Sequence, residues 1–141
     1  MAAVAAGVVL AGCGGTTLGE NDLRTRAARV CTRAARRANL VAMPSSPAGT
    51  VVFVRQGVAA LRPELAGLRA LRPPQSLAST YANSLGELGQ LVQDMKATAV
   101  GLSRGNDPVV AIKTLAQQLA PLEAQQNEGW QSLGVPACVI R

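Results

Sequence analysis

The sequence predicts an all-α domain that folds as an antiparallel up-down-up-down four-helix bundle. From residue 20 onward, apolar residues recur at helical spacing, and no stretch shows the sustained alternation of a β-strand. Clusters of Pro, Gly and Ser divide this region into four segments joined by short connections, which is the layout of an up-down bundle. A three-helix bundle with a loosely packed first helix is the alternative. The proline breaks disfavour one continuous coiled coil.

The first segment covers about residues 21–41 and places its apolar side chains on one side of a helix. Asn21 or Asp22 is the predicted N-cap, because short polar side chains accept the unpaired N–H groups of a first turn. A Pro-Ser-Ser-Pro stretch at residues 44–47 then breaks the chain. The predicted core positions of this segment are Leu23, Ala27, Val30, Cys31, Ala34, Ala38 and Val41.

The second and third segments cover about residues 49–72 and 75–104, and both carry a stripe of Val and Leu. Pro63 removes a backbone hydrogen bond from the second helix and predicts a kink near Ala59. Gly105 is a predicted stop signal for the third helix. The expected core positions are Val51, Val54, Val58, Leu61, Leu65 and Leu68, followed by Leu77, Tyr81, Leu85, Leu88, Val92, Met95 and Leu102.

The fourth segment begins with a cap at Asp107 and with Pro108 at the first helical position, where a missing N–H does no harm. Pro121 is internal, and Gly134 is the predicted stop signal. Its expected core positions are Ile112, Leu115, Leu119, Leu122 and Trp130. Only three aromatic residues occur in the 141 residues, so we expect Leu, Val and Ala to build the core without large aromatic anchors, with Trp130 in the core or at its rim.

The N-terminal residues predict an exported lipoprotein. Residues 1–12 carry no charge and are too few to span about 30 Å of hydrocarbon, but they fit the apolar part of a signal peptide. The Leu-Ala-Gly-Cys motif at residues 10–13 looks like a lipobox, in which the thiol of Cys13 receives a diacylglycerol carrying palmitate-type chains and the peptide is cut before it. We therefore predict a signal peptide at residues 1–12, a flexible tether at 13–19 and a helical bundle domain at 20–141.

One feature departs from that pattern, because no Lys or Arg precedes Cys13. A start codon further upstream or a weak export signal would account for the departure. The alternative is an ordinary hydrophobic N-terminus with a chance cysteine. The lipoprotein hypothesis places the domain on the extracytoplasmic face of the cell membrane.

Two further cysteines, Cys31 and Cys138, are predicted to form a disulfide, because an exported protein meets an oxidising compartment. The closed loop would hold about 108 residues, for which the chain-entropy model gives about 4 to 5 kcal/mol. First and last helices are neighbours in an up-down bundle, but the tail has to fold back along the first helix to reach Cys31. Two buried reduced thiols are the alternative.

The net charge of +6 is concentrated in the first helix, where six Arg stand against two acidic residues, a balance of +4. Anionic headgroups, an acidic envelope protein or an envelope polymer could bind such a face, and a solvated helix face paired with neighbouring carboxylates is the alternative. Nucleic acid is not expected as a partner, because the predicted extracytoplasmic location separates the protein from it and because this face has no stacking aromatic residues. The five arginines of the predicted face are Arg26, Arg29, Arg33, Arg36 and Arg37.

The chemistry of the side chains argues against an enzyme. The chain has no histidine and no Gly-rich phosphate loop, and a paired-carboxylate site cannot be argued from spacing alone. The carboxylates are scattered along the helices at Glu64, Glu87, Asp94, Glu123 and Glu128. With two cysteines bonded, no thiolate zinc site can be built. We expect no catalytic residues, no metal and no cofactor.

Four motifs carry a resemblance to a known group of proteins. They are the lipobox at 10–13, the first helix with its cysteine, LRPELAGLRALRPP at 61–74 and GVPAC at 134–138. With these motifs the chain resembles small Ala/Leu/Arg-rich lipoproteins of GC-rich Gram-positive bacteria. The resemblance covers nearly the whole chain, but its motifs are structural and assign no active residues. We expect a binding or scaffolding module at the cell envelope, or a carrier or sensor of a small apolar ligand between helices kinked at Pro63 and Pro121. The sequence leaves the oligomeric state open.

Overall fold

The computed structural model describes residues 16–139, and in that range the chain is helical and contains no strand. The prediction of an all-α four-helix bundle is confirmed. Three short 3₁₀ turns precede the second and third helices and follow the fourth. The helices are α1 (Glu20–Ala38), α2 (Thr50–Arg69), α3 (Ala78–Ser103) and α4 (Pro108–Ser132), and the turns are Pro47–Gly49, Gln75–Leu77 and Pro136–Cys138.

Contacts at the two ends of the bundle show that successive helices run in opposite directions. At one end the N–H of Leu18 donates to the carbonyl of Arg72 at 3.0 Å, which joins the start of α1 to the end of α2. At the other end Arg55 of α2 donates to the hydroxyl of Ser103 at the end of α3 at 2.7 Å. We call the end where α1 begins the proximal end and the opposite end the distal end.

The first helix does not pack along the fourth as expected. α1 packs chiefly on α2 and on the turn Pro136–Cys138, whereas α4 packs on α3. The tail after α4 takes the place of a direct α1–α4 interface, because Val135 is buried and Arg24 of α1 donates to the Leu133 carbonyl at 2.9 Å. The tail therefore closes the bundle on the side where the first and last helices were expected to meet.

Two aromatic residues form the centre of the core, contrary to the expectation that none would anchor it. Trp130 is fully buried and meets Tyr81 edge to face, with ring centroids 5.7 Å apart. Burial raises the pKa of the Tyr81 hydroxyl, which donates to the Leu68 carbonyl at 2.8 Å. The sequence analysis did not expect aromatic anchors because aromatic residues are few. Each of these two side chains nevertheless buries more area than any aliphatic residue.

The helix boundaries confirm three predicted signals and correct one. Asp107 accepts a hydrogen bond from the N–H of Val110 at 2.9 Å, as an N-cap does. Gly105 and Gly134 have φ angles of +94° and +71°, which favour glycine after a helix end. The predicted cap of α1 was wrong: α1 begins at Glu20 after Gly19, and no side chain caps it.

The core is narrower at the end of α1 than the sequence pattern suggests. Ala38 was expected in the core but is exposed, because α1 ends there.

The helices α2 and α4 continue through Pro63 and Pro121, and both prolines lie on the exposed surface. Pro63 borders an open groove of about 620 Å³ between α2 and α3, which the buried Leu65 and Val92 also line.

Candidate docking surfaces

A disulfide joins Cys31 of α1 to Cys138 of the C-terminal turn, with their Cα atoms 5.0 Å apart. Both residues are buried, so the predicted disulfide is confirmed and the alternative of two reduced thiols is wrong. Gly134 turns the chain after α4, and the tail then lies across α1 until Cys138 reaches the middle of that helix. This link gives the C-terminal tail a fixed place in the bundle.

The predicted lipidation site, Cys13, lies outside the described residues, as does the predicted signal peptide. The described part of the predicted tether is residues 16–19. Leu18 in this segment is half-buried and packs on the core. Its backbone contact with Arg72 places the start of the domain at the proximal end.

All five residues of the predicted arginine face are exposed on α1. Among residues 16–139 the only ion pair joins Arg24 to Glu20 at 3.0 Å, so no described carboxylate pairs with the arginine face. A shallow groove of about 590 Å³ runs along this side of the helix. It is lined by Thr25, Ala28, Arg29, Thr32, Arg33 and Arg36.

Glu64 of α2 lies beside the arginine face without forming an ion pair with it. Burial raises the pKa of Glu64 to about 7, and the nearby charge of Arg37 opposes part of that rise. The carboxyl group borders a small cavity of about 220 Å³ that the Cys31–Cys138 disulfide also lines. Sequence reasoning treated Glu64 as one of several scattered carboxylates, because its burial depends on how α1 crosses α2.

The distal end carries a second surface, which the sequence did not predict. Large apolar side chains at the end of α1, the start of α2, the end of α3 and the start of α4 are exposed there. Their exposed fractions range from 49% to 84%. All the large hydrophobic residues that are strongly exposed in the described range belong to this end. They are Leu40, Met43, Val52, Val100, Val109 and Val110.

Two of these side chains, Met43 and Val109, line an apolar groove of about 550 Å³, which we call the distal groove. The loop after α1, the first turns of α2 and the first turns of α4 line it. Phe53, an aromatic residue that the core does not bury, forms part of its wall, and Lys113 is its only charged lining residue. The lining residues are Met43, Pro44, Ser45, Ser46, Pro47, Thr50, Phe53, Pro108, Val109, Ile112 and Lys113.

Polar side chains are buried between α3 and α4 near the proximal aromatic pair. Ser84 and Gln126 are almost fully buried, and the Ser84 hydroxyl and the Gln126 side-chain oxygen have no hydrogen-bond partner in the described chain. Gly129 faces Ser84 so closely that a Cβ at this position would collide with the hydroxyl oxygen. These residues set how closely α3 and α4 approach.

Comparison with protein families, with curated proteins and with solved structures finds no match to this chain. The resemblance to small lipoproteins of GC-rich Gram-positive bacteria therefore stays a prediction. Among residues 16–139, no helix is both long and apolar enough to cross a membrane. In the same range no three His, Cys, Asp or Glu residues come together as metal ligands would.

Proposed function

We propose that this protein is a lipid-anchored, non-catalytic binding or scaffolding module on the extracytoplasmic face of the cell membrane. Its distal groove would dock an apolar segment of another envelope protein. The observation that carries the proposal is the gathering of the strongly exposed large apolar side chains at one end of the bundle. Soluble monomers rarely expose such patches unless the patch binds something.

The position of the groove agrees with an anchor at Cys13. The first described residue, Thr16, follows Cys13 by three positions, and the chain enters the bundle at the proximal end. The groove lies at the other end of helices that are about 30 Å or more in length. An anchor of this kind would hold the protein at the membrane and leave the groove accessible.

Charges around the groove favour a partner segment with acidic flanks. Lys113 lines the groove, while Arg55 and Arg104 lie at the same end of the bundle. The nearby carboxylate of Asp107 is already engaged in capping α4. A second copy of this chain fits the groove less well, because it would bring these cations against one another.

Photo-cross-linking in cells tests the docking site. Benzoylphenylalanine at position 109, in the groove, should give a discrete adduct with an envelope protein. The matched control carries the same group at the exposed position 117 of the same helix, and it should give none. Adducts of equal yield from both positions, or from neither, would contradict the proposed docking site.

A small apolar ligand is the second candidate, because about 550 Å³ lies within the usual range of ligand pockets, about 300 to 1,000 Å³. The distal groove suits an apolar ligand better than the groove beside Pro63, because one charged residue lines the former and Arg62, Arg69 and Lys96 line the latter. Native mass spectrometry of the full chain from its own membranes tests it. A bound lipid that is lost in Val109→Glu but kept in Gln117→Glu would support the carrier over the docking module.

The anchor needs its own test. Intact mass spectrometry of the protein from the membrane fraction should show a chain that begins at a diacylglycerol-modified Cys13. An unmodified chain that retains Met1 would contradict both the lipid anchor and the proposed location on the extracytoplasmic face of the membrane.

A further inference from the structure

We infer that the outer face of α1 binds anionic phospholipid headgroups, with the arginine face lying against the membrane surface. This surface shares Leu40 with the exposed apolar side chains of the distal end, but it shares no residue with the lining of the distal groove, and the inference does not depend on what the groove binds. Three observations carry it: the spacing of the arginines, the absence of paired carboxylates and an exposed apolar side chain where the face ends.

The arginines are arranged for phosphate groups. Arg29, Arg33 and Arg36 recur at the spacing that places side chains on one helix face, and they share their groove with the hydroxyls of Thr25 and Thr32. A guanidinium group donates two parallel hydrogen bonds to a phosphate, and a threonine hydroxyl donates one more. The groove therefore presents guanidinium and hydroxyl donors and positive charge beside small side chains, and no carboxylate lines it.

The face lacks the counter-charges of an ordinary solvated helix. The acidic residues of α1, Glu20 and Asp22, lie in its first turn. Glu20 forms an ion pair with Arg24 and accepts a hydrogen bond from the Ser76 hydroxyl. From Arg26 to Arg37 the helix has no acidic residue, and none from a neighbouring helix forms an ion pair with it in the described chain. Glu64 of α2 lies near Arg37, and at the other arginines of the face an external anion is the remaining source of neutralisation besides solvent.

The extent of the face favours a membrane over a single free phosphate. Arg26 and Arg37 are separated by about 16 Å along the helix axis, so the charges cover a surface and do not converge on one point. Leu40, two residues after α1 ends, is 84% exposed. An apolar side chain beside a row of cations suits the boundary between headgroups and acyl chains. Leu18 is fixed on the core, so the five residues from 13 to 17 form the free tether, and they would reach about 17 Å when extended, which allows α1 to lie flat.

Vesicle flotation of the purified full chain with Cys13→Ser tests the inference. The measured quantity is the ratio of affinities for phosphatidylcholine vesicles with and without phosphatidylglycerol. The leader is identical in the parent and in both triple variants, so its contribution cancels when their ratios are compared. The variant is Arg29→Gln/Arg33→Gln/Arg36→Gln, and the matched control is Arg62→Gln/Arg69→Gln/Arg72→Gln, which removes the same charge from exposed positions on α2 and just after it.

The inference predicts that the arginine-face variant lowers the ratio about 100-fold, at about 5-fold for each arginine near the surface. The control should lower the ratio several-fold at most.

Leu40→Ser should weaken binding to both kinds of vesicle, and about 1 M salt should abolish the preference for anionic vesicles. Equal losses from the two triple variants would overturn the inference, as would no preference for anionic vesicles. Competition by inorganic phosphate beyond that of a chloride salt at equal ionic strength would assign the face to free phosphate instead.

Discussion

The proximal and distal ends of this bundle use the same four helices but differ in what they do with apolar side chains. At the proximal end Trp130, Tyr81 and Leu23 are fully buried, and the tail through Leu133 and Val135 covers them. At the distal end the large apolar side chains remain exposed around an open groove. Apart from Val54, every large side chain that is fully buried in the described range lies in the proximal half.

This difference separates stability from binding. A small domain has to bury its aromatic and aliphatic side chains somewhere, and here one half of the bundle does most of that. The distal half can then keep apolar surface exposed without loss of the fold. Substitutions at the proximal end should change the free energy of unfolding, whereas substitutions in the distal groove should change binding alone.

The largest effect is expected at the centre of the proximal core. Trp130→Ala should lower the free energy of unfolding by about 3 to 5 kcal/mol, because it removes the largest buried side chain and leaves a cavity. Val109→Ala, which truncates an exposed groove residue, should change it by less than about 0.5 kcal/mol. Urea unfolding of both variants measures the contrast, and similar losses would contradict the division between the two ends.

The disulfide should contribute the next largest effect. In a Cys13→Ser background, Cys31→Ala should lower the free energy of unfolding by about 2 to 5 kcal/mol, because the unfolded chain loses its long closed loop. Reductant should lower the free energy of unfolding of the parent to nearly that of the variant, and it should leave the free energy of unfolding of the variant unchanged. If the variant were equally less stable than the parent with and without reductant, the cysteine would act through packing and not through the bond.

Glu64 should make stability depend on pH between about 4.5 and 7. Its pKa is higher in the folded protein than in the unfolded chain, so the folded state holds the proton more tightly. The contribution of Glu64 to stability is full below about pH 4.5 and is lost as the pH rises through about 7. At pH 8, Glu64→Gln should be more stable than the parent by about 1 to 3 kcal/mol, as measured by thermal unfolding.

A matched charge removal checks that this effect is local. Glu123→Gln on α4 removes the same charge from a site away from Arg37 and the disulfide. It should not reproduce the gain at pH 8. If the stability of Glu64→Gln changed with pH in parallel with that of the parent between pH 4.5 and 8, the assignment of this pH dependence to Glu64 would be contradicted.

The smallest effect concerns the approach of α3 and α4. Gly129→Ala should lower the free energy of unfolding by about 1 to 2 kcal/mol despite the higher helix propensity of Ala, because the new Cβ collides with the Ser84 hydroxyl. Ser84→Ala should restore most of the loss in the double variant, as shown by a double-mutant cycle. Additive losses would mean that Gly129 is needed for another reason.

The sequence predicted the helices, their order and the disulfide, because these depend on local periodicity, on proline and glycine positions and on the pairing of two cysteines. It could not predict that Tyr81 meets Trp130, because that contact depends on how α3 and α4 pack. The direct packing of α1 on α4 was expected from topology alone, and the tail through Val135 displaced it. Local pattern cannot show such a displacement.

The two candidate surfaces differ in the same way. The arginine face could be predicted, because helical spacing places its members together whatever α1 packs against. The distal groove could not, because Met43, Phe53 and Val109 come from separate segments. None of the three belongs to a predicted core stripe, and only the ends of the helices bring them into one exposed surface.

The most direct test of the account measures cross-linking from the groove in two matched variants. Benzoylphenylalanine at position 43 should form its adduct in Gln117→Glu but not in Val109→Glu, while both proteins unfold at the same urea concentration as the parent. That result would show a binding surface that contributes little to stability. An adduct that persists in Val109→Glu, or a clear loss of stability in that variant, would contradict the proposal that the distal end is reserved for binding.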